Sequence, residues 1–83
     1  MKNNDELIEK LNIILTDYGY FNFKENTKSL LIFANKIKKT DQEIGLFKDI
    51  IHSYNEYTRI ENLDNLYITR DYLITLYNYL LQK

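Results

Sequence analysis

The sequence has 83 residues, of which 45% are apolar and 28% charged, and its 11 basic and 12 acidic side chains leave a net charge of −1. This length has room for one domain, and the apolar fraction with near-neutral charge argues against disorder and against nucleic acid as the main partner. Because the chain has no cysteine, disulfides, thiolate catalysis and cysteine-based metal sites are excluded.

The first helix is predicted over about residues 5–18. No proline and only two glycines interrupt the chain, which favours helices over a turn-rich β fold. Apolar side chains recur in this first segment at the spacing of one buried helix face: Leu7, Leu11, Ile14, Leu15 and Tyr18. Gly19 is a natural helix stop, and we expect the aromatic segment 20–23 to fold back onto the helices as a plug.

The second helix is predicted over about residues 25–39, with Leu30, Phe33, Ala34 and Ile37 facing inward. Three lysines, at positions 36, 38 and 39, crowd its end, where cations offset the negative end of the helix dipole. With Lys24 and Lys28 they form either a solvated helix end or a basic patch. Such a patch would contact an anionic membrane surface or an acidic partner.

The third helix is predicted over about residues 42–59, because Thr40 and Glu43 have the spacing of a capping box. Its inward stripe is predicted to be Ile44, Phe47, Ile51, Tyr54 and Thr58. This stripe is in phase with the inward face of the second helix, so a single continuous helix over 25–58 is the alternative. Gly45 and the polar segment 38–42 favour a break.

The fourth helix is predicted over about residues 69–82, with Thr69 as its N-cap and Ile68 packed on Leu73 as a hydrophobic staple. Its core stripe is predicted to be Leu73, Leu76, Tyr77 and Leu80. At 100° per residue, its polar residues occupy one narrow arc: Asp71, Thr75, Asn78 and Gln82. The rest is apolar or aromatic, which is more than one buried face requires. Either segment 20–23 packs over this additional apolar surface, or one edge of the fourth helix is exposed and binds a partner.

No residue pattern predicts catalysis. His52 is the only histidine, so a histidine- or cysteine-based metal site lacks its ligands. The carboxylates Asp5, Glu6, Asp41 and Glu43 lie at helix starts, where the helix dipole accounts for them. The sequence has no glycine-rich phosphate loop and no nucleophile elbow. We therefore expect a protein that is not an enzyme and that has no metal, no cofactor and no small-molecule substrate.

These elements predict one all-α domain over residues 1–83, an antiparallel up-down four-helix bundle. Asp5, Glu6 and Glu9 interrupt the stretch that a secretory signal would need. The apolar run over 72–82 is far shorter than the roughly 20 residues that span a bilayer. We therefore expect a cytoplasmic protein. Its abundant Asn, Ile, Lys and Tyr have AT-rich codons, which indicates a low-GC bacterium or its phage.

Two stretches carry a resemblance to a known family. Residues 30–39 are an apolar helix that turns into a lysine-rich junction, and residues 50–57 are followed by a polar loop and the segment 66–77. This order resembles the immunity proteins of pediocin-like (class IIa) bacteriocins, the enterocin A immunity family. Such proteins are antiparallel four-helix bundles in the cytoplasm that protect the producer cell against its own pore-forming bacteriocin.

The resemblance implies a partner and a binding region. The family acts at the mannose phosphotransferase permease that serves as the bacteriocin's receptor, and its C-terminal half governs which bacteriocin is recognised. It implies partner-binding residues on or beside the edge of the last helix: Tyr67, Arg70, Tyr72, Tyr79 and Lys83. Peripheral membrane contact is compatible with this role. The alternative is another small phage- or plasmid-encoded interaction protein, such as an inhibitor of host defence or an antitoxin. A regulatory or nucleic-acid-binding helical module is a third interpretation, which the near-zero net charge disfavours.

Overall fold

The computed structural model describes residues 2–17 and 22–83, with the side chains of residues 2 and 3 excepted. Within these ranges the chain forms four α-helices: α1 (Lys2–Thr16), α2 (Phe23–Asn35), α3 (Asp41–Arg59) and α4 (Leu63–Gln82). α1 packs on α2 and α4, and α3 packs on α2 and most extensively on α4. The short connections 36–40 and 60–62 make neighbouring helices antiparallel. The predicted all-α four-helix bundle is confirmed.

The break between α2 and α3 has a cap on each side. Lys39 Nζ reaches back to the carbonyls of Ala34 and Ile37, so it satisfies acceptors that the end of α2 leaves open. Thr40 Oγ1 accepts the Glu43 N–H at 3.2 Å, and Glu43 Oε1 accepts the Thr40 N–H at 2.9 Å. The predicted capping box is therefore present, and the alternative of one continuous helix is wrong. α2 ends at Asn35, four residues before the predicted 39.

The core forms where the four helices meet. α1 contributes Leu7, Leu11 and Ile14, α2 contributes Phe23, Leu30 and Ala34, α3 contributes Phe47, Ile50 and Tyr57, and α4 contributes Leu66, Leu73, Leu76 and Leu80. The rings of Phe23 and Tyr57 meet edge to face with centroids 5.7 Å apart, so Phe23 is packed against α3 as the first residue of α2. Of the predicted plug over 20–23, residues 20 and 21 lie outside the described residues, as do Tyr18 and the predicted stop at Gly19.

The inward stripe of α3 differs from the prediction. Phe47 and Tyr54 are buried as expected, but Ile44 and Ile51 are each 44% exposed. Their neighbours Glu43, Ile50, Ser53 and Tyr57 are buried instead. The face is rotated because two polar members of the true stripe, Glu43 and Ser53, have partners on α4. A hydrophobic pattern assigns such residues to solvent, since it contains no information on those partners.

Within the described residues, none of the helices is both long enough and apolar enough to cross a bilayer.

Candidate interaction surface on the fourth helix

α4 begins at Leu63, so the predicted start at Thr69 is wrong by six residues. Asn62 is its N-cap, because the Asn62 side-chain oxygen accepts the Asn65 N–H at 2.8 Å. The Asn65 side-chain amide in turn donates to the Ile60 carbonyl at 2.9 Å, which fixes the turn before the helix. Ile68 is half exposed inside the helix, so it is not the predicted staple on Leu73.

Thr69 is a fully buried mid-helix residue that ties α4 to α3. Its Oγ1 donates to the Asn65 carbonyl one turn earlier at 2.8 Å. Since a hydroxyl has one proton, the 2.7 Å contact between Ser53 Oγ and Thr69 Oγ1 must use the proton of Ser53. Both buried hydroxyls are thereby satisfied, and they lie beside the buried leucines of α4.

The outward side of α4 carries the predicted polar arc. Asp71, Thr75, Asn78 and Gln82 are all exposed. On a helix with 100° per residue these four residues lie opposite the buried stripe of Leu66, Leu73, Leu76 and Leu80. Between the arc and the stripe, on each side, lies a band of residues that are neither polar nor fully buried. These two bands make up the excess apolar surface that the sequence indicated.

The first band borders α1 and consists of Leu63, Tyr67, Ile74 and Leu81. Tyr67 is 46% exposed, and Leu63 and Leu81 are more exposed still. Eighteen residues separate the ends of the band, which corresponds to about 27 Å along the helix. Arg70 lies three residues after Tyr67, and its contact with α1 shows which helix this band borders.

The second band borders α3 and consists of Ile68, Tyr72 and Tyr79. Tyr72 is 40% exposed. Tyr79 is only partly exposed and packs against the core, so its predicted place on an open edge is corrected to a half-buried one. Tyr72 is thus the aromatic ring that this band offers most freely.

Arg70 and Lys83, both predicted binding residues, form contacts within the fold. Arg70 Nη2 donates to the Leu15 carbonyl at 3.1 Å and so caps the last turn of α1. Lys83 forms an ion pair with Glu43 at the start of α3. The structure therefore does not gather the five residues into one site. Tyr67 and Tyr72 are exposed on different bands, and Tyr79, Arg70 and Lys83 contact the scaffold.

The Glu43–Lys83 ion pair joins the start of α3 to the end of α4. Burial raises the pKa of Glu43, but the hydrogen bonds from Lys83 and from the Thr40 N–H outweigh it, so the pKa lies below its usual value. The hydrogen bond to Glu43 likewise raises the pKa of Lys83. The pair is therefore fully ionised near neutral pH, and Lys83 is not a free cation for a partner.

The rest of the described surface offers little to a small ligand. A depression of about 50 Å³ lies between α2 and α3, lined by Leu31, Ala34, Phe47 and Ile51 among others, well below the volumes usual for ligand pockets. A second, of about 230 Å³, lies along α2 beside Glu25 and Lys28. The described residues include no group of His, Asp and Glu arranged to hold a metal ion. The absence of catalysis and of a cofactor stays a prediction.

The sequence analysis did not identify Asn62 as the N-cap of α4, nor Glu43 and Ser53 as buried residues of α3. Asn62 is detectable, because Asn is preferred at a helix N-cap at least as strongly as Thr, the residue type assigned to that position at Thr69. Glu43 and Ser53 carried no such signal for burial. Their partners lie 40 and 16 residues away in the sequence.

Comparison of the chain with models of known protein families, with curated proteins and with solved structures finds no match.

Proposed function

We propose that the chain is a bacteriocin immunity protein, which protects a producer cell from its own pore-forming peptide through protein–protein contact at the receptor permease. The observation that carries the proposal is the outer surface of α4. Its two bands expose Leu63, Tyr67, Ile68, Tyr72 and Leu81 on a rigid helix of a four-helix bundle. The resemblance of the sequence to pediocin-like immunity proteins supplies the class of partner, the mannose phosphotransferase permease with its bound bacteriocin.

The chemistry of this surface suits a protein partner. Tyrosine offers a large contact area with few rotatable bonds and keeps a hydroxyl for water or for a hydrogen bond. Two exposed tyrosines on either side of a polar arc give a partner apolar anchors separated by acceptors and donors. Interfaces that form and dissociate commonly combine such anchors with a polar surround. The bands are thus suited to contact without any chemical step.

Expression of the chain in a strain sensitive to pediocin-like bacteriocins tests the proposal. We expect survival against at least one peptide of a panel, and we expect Tyr72→Ser and Tyr67→Ser to lower it. Ile13→Ser is the matched control, because Ile13 is 50% exposed on α1 and belongs to neither band of α4. Its substitution should leave survival unchanged. Circular dichroism of each purified variant must show the wild-type helix content, so that a loss of protection is not a loss of fold.

Survival that equals the empty-vector level against the whole panel contradicts the immunity function. An interaction protein of phage or plasmid origin would then be the better proposal, since it would use the same exposed surface on another partner. Loss of protection in Ile13→Ser but not in the tyrosine variants would contradict the assignment of the surface to α4.

A further inference from the structure

A second surface lies across the bundle from α4, where α2 and α3 meet. It exposes three isoleucines, Ile32 at 51% and Ile44 and Ile51 at 44% each. Ile51 lies beside Leu31 of α2 in the shallow depression between the helices, so the two helices share this face. Ile44 precedes Ile51 by seven residues, which places both on the same side of α3. We call this surface the α2–α3 face.

The α2–α3 face carries an excess of positive charge. Lys28 and Lys48 lie within four residues of Ile32, Ile44 and Ile51, and Lys36 and Lys38 lie at the junction of the two helices. These four lysines are exposed. None of them forms an ion pair with a described residue, since the ion pairs among the described residues are Lys24–Glu61, Arg59–Glu56 and Lys83–Glu43. The acidic residues beside them are Glu25, which lines the second depression, along α2, with Lys28, Asp41, which lies at the start of α3, and Asp49, which follows Lys48. Asp41 is partly neutralised by the helix dipole.

We propose that the α2–α3 face binds the surface of an anionic lipid bilayer. Lysine is a compact charge on a flexible stem, which suits many phosphate positions rather than one bidentate partner. Exposed aliphatic side chains among lysines are what a peripheral membrane surface requires, because the apolar groups enter the headgroup boundary while the cations contact anionic lipids.

The lipid-binding surface is independent of the proposed immunity function and of the α4 bands. α4 packs on α1 and α3, and α2 lies on the opposite side of the bundle. Substitutions on the α2–α3 face therefore leave Tyr67 and Tyr72 unchanged. A chain that confers no immunity can still bind lipid, and one that binds no lipid can still confer immunity.

Co-sedimentation of the full chain with vesicles tests the proposal. We expect binding to phosphatidylglycerol vesicles, little binding to phosphatidylcholine vesicles, and weakening as salt screens the lysines. A Lys28→Gln, Lys48→Gln double variant should bind roughly 25-fold more weakly, since each lysine near an anionic surface contributes about fivefold. The control double variant Lys10→Gln, Arg59→Gln loses the same charge elsewhere and should bind within about twofold of wild type.

The isoleucines separate lipid insertion from charge attraction alone. Ile44→Ser should weaken vesicle binding several-fold. Ile13→Ser changes a similarly exposed isoleucine on α1 and should not weaken binding. Equal sedimentation with the two lipids, or equal loss in the two double variants, would overturn the proposal. If Ile44→Ser binds vesicles like wild type and also binds soluble polyglutamate equally tightly, the α2–α3 face binds acidic polymers in general. That outcome would also overturn the proposal.

Discussion

Lys83 Nζ donates a hydrogen bond to Oε2 of Glu43, and so the end of α4 is held at the first turn of α3. The Glu43 side chain is only 6% exposed, and its other oxygen accepts the Thr40 N–H at 2.9 Å. One carboxylate therefore closes the cap of α3 and fastens α4. This double role explains why an acidic residue belongs to the inward stripe of α3 in place of Ile44.

Glu43→Gln should remove the ion pair and keep the cap, because Gln serves in a capping box as Glu does. The pKa of Glu43 is lower in the folded protein than its unfolded value of about 4.3. The ionised carboxylate therefore stabilises the fold above that pH, and this contribution is lost as the pH falls through the folded-state pKa. We expect the variant to be less stable by about 1 kcal/mol at neutral pH. The difference from wild type should shrink below about pH 4.

The same pair predicts a limit at high pH. Because the pKa of Lys83 is raised above 10.5, its contribution is present below that value and is lost as the pH rises through the folded-state pKa. Urea unfolding followed by circular dichroism at several pH values measures both limits. Glu56→Gln is the control, since the Glu56–Arg59 pair is exposed and should contribute less than about 0.5 kcal/mol. A pH-independent difference between wild type and Glu43→Gln would contradict the assigned role.

Thr27 and Thr69 are both fully buried, but the hydroxyl of Thr27 is the one buried side-chain polar atom of the described residues that lacks a hydrogen-bond partner. Thr27→Val removes this unsatisfied group at nearly constant shape and should raise the free energy of unfolding by about 1 kcal/mol. Thr69→Val should lower it by about 1–2 kcal/mol, because the Ser53 hydroxyl loses its acceptor. Denaturant unfolding of the two variants side by side checks the sign of each change. The same sign for both would show that the hydrogen bonds do not decide their effects.

Gly45 lies on the exposed side of α3 with no positive φ angle. A Cβ atom there would meet nothing within 4 Å. Gly45→Ala should therefore raise the free energy of unfolding by about 1 kcal/mol, through the better helix propensity of alanine and the reduced freedom of the unfolded chain. Thermal and urea unfolding measure the gain. An unchanged or lower stability would mean that α3 is not a regular helix at this position.

The sequence predicted the features of the fold that depend on nearby residues. The number of helices, the capping box of Thr40 and Glu43, the break before α3 and the polar arc of α4 all follow from local spacing. Such features depend on local hydrogen bonds and on helical periodicity, and both are determined by residues that are close in sequence.

The inward stripe of α3 depends on distant partners, and its prediction from the sequence is wrong. The stripe of α3 was assigned to Ile44 and Ile51 because their hydrophobicity favours burial, whereas Ser53 and Glu43 are buried through Thr69 and Lys83. The family resemblance implies a partner-binding role for Arg70 and Lys83, on or beside the edge of the last helix, and that role stays a prediction. Their actual contacts, with the Leu15 carbonyl and with Glu43, depend on how the helices pack. Only the assembled bundle shows which of these charges are already used.

Tyr72 and Tyr79 test which aromatic residues of α4 belong to the surface and which to the scaffold. Tyr72 is 40% exposed, whereas Tyr79 packs against the core. Tyr72→Ser should change the free energy of unfolding by less than about 0.5 kcal/mol. Tyr79→Ser should lower it by about 2 kcal/mol, somewhat less than the loss for a fully buried aromatic residue.

The two substitutions are matched, since they remove the same ring from the same band seven residues apart. Urea unfolding measures the stabilities, and survival of a bacteriocin-sensitive strain measures protection at equal protein level. Loss of protection in Tyr72→Ser with unchanged stability would place Tyr72 at the interface. An equal loss of stability in both variants would instead show that the second band is covered in solution, and the exposed surface of α4 would then be reduced to the band that borders α1.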